Sequence, residues 1–227
     1  MKRLSCLILA LMLALTLFGC GKKKTQPSPT PSDSSTVPPA EEAAPLQLDV
    51  LNIEFAAEGH DADALLALKS ELPAPLIRAL DAEGVQVGRV AVTFGTSADA
   101  TWQALADGGI DIAFLPSAVA LMSEATAHII AVENAPAAPD SEALALCPEL
   151  ADGAIFYENA VALSAEADEA LCRALPHALA MLCADADGYA ALRLYGTGAY
   201  LVSPAPEDLL APYGAYLTAA AEAALRK

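Results

Sequence analysis

Three short stretches carry residues able to hold a ligand: Glu58-Gly59-His60-Asp61, Gly95-Thr96-Ser97 and Pro116-Ser117. Thr96 and Ser97 precede a helical run. Their hydroxyls, with the backbone N–H groups behind them, can hold an anion at a helix N-terminus. The same position serves equally well as a plain cap, in which the hydroxyl accepts a backbone N–H. Ser117 opens the next helical run and has the same two uses. His60 can contact a ligand or a metal, or can stand with Glu58 in a solvated loop. Tyr157-Glu158 lies near a chain crossover and can face a ligand. His128 and His177 fall within a strand and a helix and are given no role. Asp185-Ala186-Asp187-Gly188 begins like a calcium loop, but the bidentate Glu such a loop requires is replaced by Gly196. The chain contains no G-x-S-x-G, H-E-x-x-H or G-x-x-x-x-G-K. The expectation is a binding protein rather than an enzyme, with no cofactor and no metal.

The elements that must position these residues alternate between strand and helix. Leu46 to Phe55 alternates in polarity and is β-branched, a first strand. Asp61 caps a helix to Leu72, broken by Pro73 and Pro75, and a second short helix ends at Gly84. Val85 to Phe94 forms a second strand, and a helix runs from Ser97 or Asp99 to Asp107. Ile110 to Leu115 is a buried third strand, followed by a helix from Pro116-Ser117 to about Ala125. His128 to Val132 is a fourth strand and Ile155 to Leu163 a fifth. Helices then cover Glu166–Cys183, with a kink or break at Pro176, Asp187–Tyr195 and Glu207–Ala224. Such alternation indicates an α/β domain, a mostly parallel sheet with helices on both faces and a helical C-terminal part. Ligands in such sheets sit beyond the carboxyl ends of the strands, where Ala56–His60, Gly95–Ser97 and Pro116–Ser117 lie.

The N-terminal segment reads as an export signal. Met1-Lys2-Arg3 is basic, and Leu7 to Phe18 is apolar and too short to span a bilayer. Leu17-Phe18-Gly19-Cys20 then fits a lipobox. Residues 1–20 are thus expected to be a lipoprotein signal peptide, with Cys20 acylated and the mature chain anchored at the extracytoplasmic face of the cell membrane. Residues 21–45, rich in Lys, Pro, Ser and Thr, have little to bury and read as a disordered tether. Residues 46–227 read as the folded domain.

The chain has 12 basic and 29 acidic residues, a formal charge of -17. Removal of Lys2 and Arg3 leaves 10 against 29, or -19. This excludes nucleic acid as an expected partner but permits a small anion at a helix N-terminus. Cys147, Cys172 and Cys183 follow Cys20, an odd number. Cys172 and Cys183 stand on one helix face too far apart to bridge. The three read as small apolar side chains, with a disulfide to Cys147 left open.

Pro75 to Leu121 reads PLIRALDAEGVQVGRVAVTFGTSADATWQALADGGIDIAFLPSAVAL. This stretch resembles the first lobe of the phosphate/phosphite/phosphonate-type solute-binding proteins of ABC transporters (periplasmic-binding-protein type II). The residues that carry the likeness are Gly84, Ala104-Leu105, Gly108 or Gly109, Asp111-Ile112-Ala113-Phe114-Leu115 and Pro116. Leu194 to Pro204, LYGTGAYLVSP, is similar to the family's late glycine-rich segment. The resemblance implies a membrane-anchored lipoprotein that delivers a small, anionic, phosphonate-like solute to an ABC permease. The residues expected to bind the solute, from their place at the strand ends and the crossover, are Glu58, His60, Thr96, Ser97, Ser117 and Tyr157. The five strands read from the sequence pattern are Leu48–Phe55, Val87–Phe94, Ile110–Leu115, His128–Val132 and Ile155–Leu163, and the resemblance implies that the fifth runs antiparallel to the rest because the family's chain returns there from its second lobe. Only about twenty residues occupy that lobe's place, so a single lobe is expected. The alternative is an adaptor or sensor partner that keeps one lobe without transport.

Overall fold

The structure, a computed structural model, describes residues 45–122, 127–151 and 153–226. Cys20 and the expected signal lie outside the described residues, as does the expected tether up to residue 44.

The first two expected strands each divide in two. β1 (Leu46–Leu48) and β3 (Val85–Val87) pair in parallel as a separate two-stranded sheet, while β2 (Leu51–Ala56) and β4 (Val90–Gly95) enter the main sheet. The break is local. Gly88 N–H donates to Leu48 O over 2.8 Å, and a Cβ on Gly88 would stand 2.9 Å from the Asp49 carbonyl oxygen. The two backbones approach too closely there for any side chain.

The main sheet has six strands in the order β4-β2-β5-β7-β6-β8, with β5 at Ile112–Pro116, β6 at Ala127–Glu133, β7 at Asn159–Ser164 and β8 at Tyr200–Val202. β4, β2 and β5 are mutually parallel. β7 runs antiparallel to both of its neighbours, β5 and β6, as expected of the returning strand. β8, a sixth strand absent from the sequence reading, is antiparallel to β6. The sheet is therefore mixed rather than mostly parallel. The returning strand starts at Asn159, not Ile155. Phe156 instead makes an isolated antiparallel bridge to Ala137.

The helices are α1 (Ala62–Glu71), α2 (Pro73–Ala82), α3 (Ala98–Ala106), α4 (Ser117–Met122), α5 (Ser141–Leu146), α6 (Glu169–Ala184), α7 (Ala186–Leu192) and α8 (Pro206–Leu225). Pro73 is the first residue of α2, where its missing N–H costs nothing. Pro176 lies inside α6 without ending it. Leu171, Leu175, Leu179 and Leu182 are buried along that helix, and the burial of each, worth about 1.5–3 kcal/mol, holds the helix across the lost bond.

Side chains alternate across the sheet, so it is covered on both faces. Ile53, Phe55, Ile112, Phe114, Val161 and Leu163 pack under α1, α2, α6 and α7. On the other face Ala113, Leu115 and Ala162 meet Trp102 and Leu105 of α3 and Ala120 of α4, while Val132 and Ala160 meet Leu210 of α8. Between β6 and β7 the chain builds a small cluster of Ala143, Cys147, Leu150 and Phe156 against Tyr213 and Tyr216 of α8. Cys147, Cys172 and Cys183 are all free thiols. Cys147 is buried and the other two are half-buried, which closes the disulfide alternative.

Candidate functional site

Strand register sets most of the candidate residues along one sheet edge. Ala56 of β2 pairs with Gly95 of β4, Phe55 with Phe114 of β5, Pro116 of β5 with Asn159 of β7, and Glu133 of β6 with Tyr200 of β8. The turns leaving these ends carry, from one side of the sheet to the other, Thr96 and Ser97, then Glu58 and His60, then Ser117, then Tyr157 and Glu158, then Glu133. Among the rim segments 57–61, 95–99, 116–119, 133–135 and 157–159 there is no Lys or Arg.

Ser97 caps α3: its Oγ accepts the Ala100 N–H at 3.1 Å. Asp61 caps α1 in the same way, accepting from Asp63 and Ala64. Thr96 is exposed beside Ser97, and Glu58 is exposed in the turn with Gly59. His60 is exposed yet ordered, because its ring stacks on Tyr195 with centroids 4.2 Å apart and planes at 15°. Tyr195, just beyond the end of α7, ties the edge together from below. Its hydroxyl lies 3.0 Å from Ala56 O and 3.2 Å from Phe114 O, so it can donate to either strand end.

Ser117 differs from the expectation of a rim hydroxyl open to a ligand. It is fully buried, its N–H donates to Glu158 O at 2.7 Å, and its Oγ has no hydrogen-bond partner among the described residues. Thr101 Oγ1 and Trp102 Nε1 on α3 share that condition. Among the described residues, three polar atoms without hydrogen-bond partners therefore lie behind the edge, around the cluster that joins α3, α4 and β5. Tyr157 is half-buried against Val132, Ala160 and Leu210, a packing position. His177 pairs with Glu83 at 3.4 Å, away from this edge. Asp185 caps Gly188 N–H and, with Asp187, takes Arg78, so these acids have partners.

Glu133 was missed at the sequence level. It is 5% exposed at the end of β6. Its carboxylate accepts from Asn159 Nδ2 at 2.7 Å and from the Thr197 N–H. A Cβ on Gly196 would fall 2.2 Å from Glu133 Oε1, so glycine there makes room for the acid. Burial and the Glu133 charge push the Tyr195 hydroxyl well above the ordinary tyrosine value. Tyr200, also buried, is raised by burial and by Glu133, with further contributions from Tyr195 and Cys183. Only the Gly-Thr-Gly run at 196–198 hinted at this arrangement in sequence.

The edge can thus offer a capped helix start, exposed Thr96, Glu58 and His60, and a set of buried hydroxyl and indole donors, all without a cationic side chain. No protein-family model matches the chain, and no curated protein matches it. Two solved structures of the XAC2383 protein from Xanthomonas citri, one bound to chloride ion and one bound to ATP, are similar to it. They align with TM-scores of 0.53 and 0.52 at 12% identity, covering 74% and 75% of this chain and 97% of theirs. At that identity the likeness is one of fold, a mixed α/β sheet covered by helices.

Proposed function

We propose that the chain is an extracytoplasmic solute-binding lipoprotein of the ABC-transporter kind, reduced to a single periplasmic-binding-protein type II-like lobe. In this reading it is anchored through Cys20 and takes a small anionic solute at the edge formed by Thr96–Ser97 and Glu58–His60, with Ser117 buried behind that edge. The observation that carries the reading is the strand arrangement. Three parallel strands, β4, β2 and β5, end at strand-to-helix turns, two of which carry hydroxyls (Thr96 and Ser97 after β4, Ser117 after β5), and the antiparallel returning strand β7 is inserted between β5 and β6. Helix starts there present N–H groups with partial positive charge. The fold neighbour is recorded with chloride and with ATP, both anions, which supports an anionic class of solute. No helix of the described residues is long and apolar enough to cross a membrane.

A second reading, an adaptor or sensor partner without transport, is favoured by the crossover. The chain between Glu133 and Asn159 forms one bridge, α5 and a 3-10 turn over Phe156, Tyr213 and Tyr216, with no second lobe to close on a solute. The discriminating experiment is a thermal-shift and calorimetric panel of phosphate, phosphite, phosphonates, sulfate, ATP and amino acids. A true ligand at about 100 times its Kd adds about 2.7 kcal/mol, several degrees in a domain of this size. One lobe should bind in the micromolar-to-millimolar range, about 4 to 8 kcal/mol. No shift with any member of the panel would move the weight to the second reading.

A further inference from the structure

The end of the sheet opposite the candidate edge is unfinished. β6 runs for seven residues, but β8 pairs only with Ala131, Val132 and Glu133. On that side His128, Ile129 and Ile130 have no strand partner among the described residues, whereas their other side is paired to β7 with a bulge between Ile129 and Ala131. Beyond Val202 the chain turns away through Ser203-Pro204 into α8, which starts at Pro206. A groove of about 510 Å³ lies along this open edge, bounded by Ile129, Ile130, Val202 and Pro204 and, from α6, by Arg173 and His177. An open strand edge beside a groove can accept an extended chain as an added strand, backbone bonds giving affinity and flanking side chains selectivity.

Charge selects the occupant. The residues lining the groove include two basic side chains and no acidic one, in a chain of net charge -17. Arg173 makes no ion pair among the described residues, its one hydrogen bond being from Nε to Glu169 O at 3.4 Å. His177 faces Glu83. Glu207 and Asp208 in the first turn of α8 stand at the other end, so a visiting carboxylate is favoured only on the α6 side. We propose that this groove docks an extended acidic segment of a partner protein, added antiparallel to β6 in the line that β8 leaves unfilled, with its carboxylates against Arg173 and His177. The proposal is independent of solute binding, which concerns the opposite edge.

The test uses a short fluorescent peptide of alternating Val and Glu, its Val/Lys counterpart, and a version N-methylated at alternate residues. Anisotropy should show saturable binding of the Val/Glu peptide, at least about tenfold weaker for the other two and for the exposed charge change Arg173→Glu. Hydrogen exchange should show protection gained at residues 127–130. No binding of the Val/Glu peptide, equal binding of the N-methylated or Val/Lys peptide, indifference to R173E, or protection at the other sheet edge (residues 90–95) would each overturn the proposal.

Discussion

The Asn159 side-chain amide donates to Glu133 Oε2 over 2.7 Å, joining the last residue of β6 to the first of β7. The crossover of residues 134–158 leaves and re-enters the sheet through this bond. The other carboxylate oxygen takes the Thr197 N–H, so one buried acid fixes three segments. Removing the acceptor breaks two part-buried hydrogen bonds, from the half-buried Asn159 amide and from the N–H of exposed Thr197. A bond to a charged group is worth about 1.5–3 kcal/mol. Glu133→Ala should destabilise by about 2–4 kcal/mol. Glu133→Gln should cost about half of that, because the Asn159 amide can turn to meet it. Urea unfolding of the two variants checks this, and equal losses would show that the hydrogen bonds do not carry the site.

Tyr195 makes a pH-dependent contribution with a defined sign. Its folded-state pKa is raised by burial and then by Glu133, above the unfolded tyrosine value of about 10. The neutral phenol is therefore favoured by folding. Its stabilisation is fully present below about pH 10 and is lost as pH rises through the folded value, because the unfolded chain there binds fewer protons. Tyr200 acts in the same direction. Alkaline unfolding should be steep above about pH 10, and Tyr195→Phe should flatten it while costing about 1 kcal/mol at neutral pH for the bonds to Ala56 and Phe114. An unchanged alkaline slope in Y195F would remove Tyr195 from this role.

What could be read from sequence was whatever local pattern decides. Alternation in β2 and β4, the apolar run of β5, the caps at Asp61 and Ser97 and the antiparallel return of β7 all follow from neighbours in the chain or from the family likeness. What could not be read depends on distant contacts. The division of the first two strands needs Gly88 to meet Asp49. β8, three residues long, is a strand only because β6 lies beside it. Glu133 looks like the polar end of AHIIAVE until Asn159 and Thr197, 26 and 64 residues away, close around it. Ser117 opens α4 as its place after the β5 run indicates, but its burial is set by packing of α3 and α4 that no local signal encodes.

Thr101 tests the buried donors behind the edge. It is fully buried, its Oγ1 has no hydrogen-bond partner among the described residues, and a Cβ on Gly95 would lie 1.9 Å from that oxygen. An unpaired buried hydroxyl costs about 1–3 kcal/mol, so the near-isosteric Thr101→Val should be neutral or stabilising by up to about 1 kcal/mol. A loss above about 1 kcal/mol in chemical denaturation would show that the hydroxyl has a partner.

In the proposed reading, attachment to the membrane rests on Cys20. In cell fractionation the wild-type chain should follow the membrane and Cys20→Ala should be released or remain unprocessed. Mass spectrometry should find the mature N-terminus beginning at an acylated Cys20. An unacylated wild-type N-terminus would remove the lipoprotein reading while leaving the fold untouched.

Ser97 separates capping from ligand binding. Its Oγ already accepts the Ala100 N–H, so Ser97→Ala should lose the cap and about 0.5–2 kcal/mol of stability, and any fall in solute affinity would be confounded by that loss. Ser97→Asp keeps a side-chain acceptor at the same place and complements the helix start, so stability should hold within about 0.5 kcal/mol. The added carboxylate would nevertheless repel an anion at that helix end by about 1–4 kcal/mol at close range. Paired with Thr96→Ala, which removes an exposed hydroxyl and leaves the cap intact, it should weaken binding of any anionic solute found in the panel by tenfold or more. If calorimetry finds the same affinity in Ser97→Asp as in the wild type, the anion does not sit at the start of α3, and Ser97 is a helix cap only.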